Sequence, residues 1–122
     1  TNVDASGNFS FGTPIDQNVT VIIDNKSSVN RHFVGVSATT AGTNLGSMVL
    51  LNGDITSDGI IDIADYTVLA TKFDASNADP DWNTAGTDGF MPSQADLTRD
   101  GVVDIADYTQ LALNFDAVSE EP

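Results

Sequence analysis

Residues 54–75 read DITSDGIIDIADYTVLATKFDA, and residues 96–117 read DLTRDGVVDIADYTQLALNFDA, identical at 15 of 22 positions. Three of the differences, Ile55/Leu97, Ile60/Val102 and Ile61/Val103, keep their apolar character. Duplication of one supersecondary unit is the economical origin of such a pattern. A unit this short cannot bury its own apolar face, so the two copies are expected to pack together.

Each copy opens with oxygen-bearing side chains at the first, third, fifth, ninth and twelfth positions of a twelve-residue loop. In the first copy these are Asp54, Thr56, Asp58, Asp62 and Asp65; in the second they are Asp96, Thr98, Asp100, Asp104 and Asp107. Glycine holds the sixth position, as Gly59 and Gly101, where a sharp bend needs it. This is the spacing of an EF-hand calcium loop, in which a tight turn delivers alternate oxygens to a hard cation that takes six to eight of them. The seventh residue, Ile60 or Val102, contributes its backbone carbonyl. The eighth, Ile61 or Val103, is expected to face the core and let the two loops pair back to back. Threonine at the third position and aspartate instead of glutamate at the twelfth both weaken the site. The expected affinity lies near ~10⁻⁴ to 10⁻³ M, the range of extracellular modules.

The charge balance points the same way. Eighteen carboxylates stand against Lys26, Arg31, Lys72 and Arg99, a net charge of −14, and eight of those carboxylates lie in the two loops. Two calcium ions would bring −14 to −10 where crowding is worst. The same charge repels phosphate backbones and anionic lipid, so neither nucleic acid nor membrane is an expected partner. There is no cysteine, which excludes disulfides and thiolate chemistry, and no apolar run reaches membrane-spanning length. His32 is the single histidine and falls in an expected strand. Aspartates spaced as ligands serve poorly as proton shuttles, so the chain reads as a binding protein, not an enzyme.

A helix is expected after each loop. Tyr66, Leu69, Ala70 and Phe73 fall at i, i+3, i+4 and i+7, and Tyr108, Leu111, Ala112 and Phe115 repeat the stripe. No comparable helix precedes either loop.

Paired calcium-loop-plus-helix units that lack the entering helix resemble the dockerin, the duplicated calcium-binding F-hand module that plugs proteins into cohesin-bearing scaffolds. The stretches GDITSDGIIDIADYTVLA and ADLTRDGVVDIADYTQLA carry the likeness, which covers about residues 53–117. The resemblance implies a calcium-dependent adaptor, extracellular, that anchors a protein or enzyme to a cohesin in a cellulosome-like, polysaccharide-degrading assembly. By the same resemblance the cohesin-facing residues would be Ile63, Ala64, Ala70 and Thr71, with Ile105, Ala106, Ala112 and Leu113 in the second copy. Ile63 and Ile105 suit a partner face or the end of the core equally well. The near-identity of the copies also suggests a pseudo-twofold module able to bind in two orientations. A calcium-stabilised structural module without a dedicated receptor is the alternative. A calcium sensor is disfavoured by the missing entering helices and by only two methionines.

Residues 1–51 have another texture, rich in Ser, Thr, Asn and Gly. Short alternating runs at 8–11, 19–24, 32–38 and 47–51, parted by turn signals, predict a small β-rich companion, whole or part of a longer one, and VDASGNFSF at 3–11 resembles the strand entry of carboxypeptidase-regulatory-like or other immunoglobulin-like modules. The chain starts without methionine, as a processed chain or an excised piece would. The expected fold is therefore α+β, with a small β-sandwich-like module (1–51) packed against an all-α dockerin (52–117) containing two EF-hand-like units. A polar tail (118–122) is expected to fray. No Pro- or Ser-rich linker parts the two modules, so they are expected to move as one body. Between the copies, Pro80, Gly86, Gly89 and Pro92 argue against a regular helix. Trp82, Phe90 and Met91 are expected to cap the core.

Overall fold

A computed structural model of the chain describes residues 4–6, 8–12, 17–23 and 27–120. Its strands are β1 (Asn18–Ile23), β2 (Ser27–Ser28), β3 (Arg31–Ser37) and β4 (Asn52–Asp54), and its helices are α1 (Ile63–Thr71), α2 (Pro92–Ala95) and α3 (Ile105–Leu113).

The α+β expectation of a sandwich-like module against an all-α unit with two EF-hand-like halves is not what the chain adopts. Among the described residues helix is confined to segments of nine, four and nine residues. Antiparallel pairing reaches into both halves, as β1 with β3, as β2 with β4, and as the bridges Ile60–Val118 and Ser76–Val102. The physical reason is that the loops bring strand edges of their own, which an apolar stripe at helical spacing does not reveal.

The β1–β3 pair arises from alternating β-branched residues. Val21 stands opposite Phe33 and is buried, while Ile22 is left exposed. Residues 8–11 form no strand; there the Phe9 and Phe11 rings stack in parallel 6.4 Å apart. Residues 47–51 form none either, and pairing begins only at β4. Residue 24, the end of one expected run, lies outside the described residues. Two strands cannot close a sandwich, and a hollow of about 930 Å³ remains between the β1–β3 pair, the Phe9–Phe11 arm and residues 38–48.

The core sits between the two copies. Ile55, Ile61, Val68, Leu69, Ala95, Leu97, Val103 and Leu111 are buried together, and Val29, from the β-rich part, joins the same cluster. Each large aliphatic among them stabilises the fold by roughly 1.5–3 kcal/mol. Val29 also donates its amide to the Leu51 carbonyl at 3.1 Å, and the Ser27 hydroxyl donates to the Gln94 carbonyl at 3.1 Å. Trp82 and Phe90 pack against this core and Met91 is half-buried beside them. Short helix α2 starts on Pro92, with the Gln94 side chain accepting the Met91 amide at 2.7 Å.

Residues 118–120, expected to belong to a frayed tail, are tied down. Ser119 donates its amide to the Gly59 carbonyl at 2.7 Å, and Glu120 donates to the Asn30 carbonyl at 3.1 Å while pairing with Arg31. Residues 121–122 lie outside the described residues.

Candidate functional site

Each acidic loop is ordered by its own carboxylates. In the first, Asp54 accepts the amides of Asp58 at 3.1 Å and Gly59 at 3.0 Å, and Asp58 accepts the Ile60 amide at 3.0 Å. Asp65 reaches back across the loop. One of its oxygens accepts the Thr56 amide at 2.9 Å and hydroxyl at 3.1 Å, and the other accepts the Asp62 amide at 2.8 Å. Asp62 in turn caps α1 by accepting the Ala64 amide at 2.7 Å. The loop therefore ends in a capping box that starts the helix.

The second loop repeats this bond for bond. Asp96 accepts Asp100 at 3.2 Å and Gly101 at 3.0 Å, Asp100 accepts Val102 at 3.0 Å, and Asp104 accepts Ala106 at 2.7 Å. Asp107 accepts the Thr98 amide at 2.9 Å, its hydroxyl at 3.0 Å and the Asp104 amide at 2.8 Å. The left-handed residues match as well: Ser57 with Arg99, Gly59 with Gly101, and Asp74 with Asp116.

Asp65 and Asp107 are fully buried, and Asp54 nearly so. The ion pairs described, Arg31–Glu120 and Lys72–Asp88, do not involve these carboxylates. Burial holds the Asp54 carboxyl above the usual carboxylate range; the Gly59 amide opposes this, and the neighbouring charges of Asp65 and Asp58 add to it. Among the described residues no three His, Asp or Glu side chains converge as a metal-holding group. In these loops the carboxylates are turned onto backbone amides. The fit to a hard cation is thus one of donor chemistry and uncompensated burial, not of converged geometry. The carbonyl-bearing Ile60 and Val102 are exposed side chains at the bridges to Val118 and Ser76.

Ile61 and Val103 are both fully buried, but the loops do not pair with each other. Ile61 donates to the Ala117 carbonyl at 2.8 Å and accepts the Asp116 amide at 2.9 Å. Val103 donates to the Ala75 carbonyl at 2.8 Å and accepts the Asp74 amide at 2.9 Å. Each loop is therefore braced by the segment leaving the helix of the other copy. Gly59 and Gly101 complete the scheme by accepting the amides of Ser119 at 2.7 Å and Asn77 at 2.8 Å. The end of each helix lies beside the start of the other, so α1 and α3 run antiparallel. No local sequence pattern marks these braces; the repeated FDA at 73–75 and 115–117 is the one shared signal.

The helices bury one side and leave the other open. Val68 and Leu69 of α1 and Leu111 of α3 face the core. Tyr66 and Tyr108, expected in the core, meet edge-to-face at 5.7 Å and remain well exposed, as do Phe73 and Phe115. A stripe at helical spacing does not say which edge of it meets the core. Ile63 and Ile105 are each 64% exposed and Leu113 is 76% exposed, so none of them finishes the core. Ala64, Ala70, Thr71, Ala106 and Ala112 are exposed too. The eight residues singled out for a partner thus all stand on the solvent side of the helix pair, joined across the middle by the two tyrosines.

Comparisons with known proteins agree with a module of this shape. No family profile and no curated protein matches the chain. Among solved structures, an N-terminal interface mutant of a type II cohesin–X-dockerin complex from Acetivibrio cellulolyticus is similar at TM-score 0.64 and 23% identity, over 96% of this chain and 74% of that one. A C-terminal interface mutant of such a complex is similar at TM-score 0.60 and 25% identity, over 84% of this chain and 65% of that one, just under two thirds of its length. A type II cohesin–dockerin domain from Bacteroides cellolosolvens overlaps at TM-score 0.44 and 29% identity. The first likeness runs across both halves of the chain, strands included, which again sets aside an all-α unit. The fold is thus the one seen in these cohesin–X-dockerin structures. Among the described residues no helix is long and apolar enough to cross a membrane.

Proposed function

We propose that this chain is the dockerin side of a cohesin–dockerin pair, a non-enzymatic adaptor that works outside the cell and binds through the open face of α1 and α3. The observation that carries this reading is the exposed apolar strip of Ile63, Tyr66, Tyr108, Ile105 and Leu113, set on two loop–helix units that repeat bond for bond. Contiguous exposed apolar patches, as distinct from single exposed residues, mark interaction sites.

The loops would hold two calcium ions through Asp54, Thr56, Asp58, Asp62 and Asp65, and Asp96, Thr98, Asp100, Asp104 and Asp107, with the carbonyls of Ile60 and Val102. The support is the donor set together with Asp65 and Asp107, buried carboxyl groups with no basic side chain paired to them among the ion pairs described. When bound, calcium would supply compensating charge; the chain's own work is to fix the first turn of each helix and present the face. An ion at ~100 times its dissociation constant adds about 2.7 kcal/mol per independent site.

The test is calorimetric titration of the full chain against a panel of type II cohesin modules, with calcium and with chelator. Binding in calcium that is lost in chelator is expected. Retained binding in chelator would remove the calcium requirement, and no binding to any cohesin would leave a calcium-stabilised structural module as the reading.

A further inference from the structure

The two halves of the open face are not equivalent, and the inequality lies where the copies differ. Thr71 and Lys72 end α1; Leu113 and Asn114 occupy the matching places in α3. The turn at 86–90 packs onto the end of α1. Lys72 pairs with Asp88 at 2.8 Å and is only 12% exposed at its side chain, while the Thr71 hydroxyl, which donates to the Val68 carbonyl at 2.7 Å, lies 3.4 Å from Asp88. The hydrogen bond from the Lys72 amine holds Asp88 below the usual carboxylate range. At the end of α3 Asn114 instead turns inward to donate to the Asn52 carbonyl at 2.7 Å, and Leu113 is left bare.

Because the helices are antiparallel, the last turn of α3 lies at the same end of the face as the first turn of α1. One end is thus apolar, carrying Ile63 and Leu113 with Asp62 and the exposed Asp116 nearby. The other carries Ile105 beside Thr71 and a closed ion pair, with Asp104 and the exposed Asp74 in the matching places.

On the reading that this is a cohesin-binding face, we infer that the partner's load falls on the Ile63–Leu113 end, with Leu113 as its anchor, and that the Asp88 turn makes docking one-sided. The cohesin that fits presents an apolar patch to Leu113 and Ile63, with lysine or arginine complementing the aspartates that flank both ends of the face. A second copy of this chain does not suit the face, since each copy brings a net charge of −14.

Leu113→Asp and Thr71→Asp place the same charge at matching positions on exposed sites, so both variants are expected to fold. In calcium, against a cohesin that binds the parent chain, Leu113→Asp is expected to weaken binding about thirtyfold or more, the scale of an interface hot spot. Thr71→Asp is expected to change it by less than about threefold, an effect of rim size. The chain has no cysteine, so a spin label on Ala78→Cys, away from the face, reports orientation. A single distance to a label on the cohesin is expected. Equal weakening by the two substitutions, or two equally populated distances, overturns one-sided docking while leaving cohesin binding intact. Failure of the parent chain to bind any cohesin overturns the docking reading itself and this inference with it.

Discussion

At the scale of single residues, the glycines of the two loops show how closely the copies correspond and where they part. Gly59 and Gly101 both sit in the left-handed region, at φ of 89° and 92°. A methyl group at Gly59 would first meet the Ser119 hydroxyl at 3.3 Å, whereas at Gly101 it would collide with the Asn77 side-chain amide. Both Gly→Ala changes are expected to destabilise the chain, each by about 1 kcal/mol or more for the backbone. Gly101→Ala is expected to be the worse because Asn77 must also move. Urea midpoints of the two variants check the order. Much at this scale was readable in the chain itself: a glycine at the sixth place of an acidic loop announces a bend whatever else the loop does. What was hidden is the neighbour each glycine faces, since Asn77 and Ser119 come from the opposite copy and carry no mark of it.

Among the elements, α1 and α3 owe their starting points to their loops. Asp62 and Asp104 cap them, and Asp65 and Asp107 close the capping boxes from inside. A nine-residue helix is too short to persist in water by propensity alone, so cap and core decide it together. In chelator, where no ion contributes, Asp104→Ala is expected to cost about 1 kcal/mol, while Asp104→Asn retains most of the cap. Denaturant titration of both variants measures it, and equal losses would show that charge, not the cap bond, matters there. The periodicity of the sequence located these helices, and Leu69 and Leu111 from the expected stripes do enter the core. It failed for Tyr66 and Tyr108 because two small units meet along a narrow seam, and half of an apolar stripe is then left over. The strands were less legible. Alternation found β1 and β3, but β4 and the two bridges depend on partners distant in sequence, which no local pattern encodes.

For the molecule as a whole, the reciprocal bracing ties residues 116–120 to the first loop and residues 74–77 to the second. Residues 118–120 hold the first loop through the Ile60–Val118 bridge and the Ser119–Gly59 bond, and they hold the β-rich part through Asn30 and Arg31. Removing residues 118–122 is therefore expected to loosen the first loop and spare the second. Amide exchange should quicken at Gly59 and Ile61 with little change at Gly101 and Val103. Uniform quickening in both loops would mean that the two braces fail together.

That bracing also sets the smallest piece of this chain that can exist. A single repeat carries a groove it cannot fill and a flap it cannot use, each shaped for its sibling. Cut apart, the halves have every reason to find each other again, and one half on its own could satisfy its groove only by borrowing the flap of another molecule. Doubling the gene segment was, in this sense, what turned an intermolecular handshake into an intramolecular one.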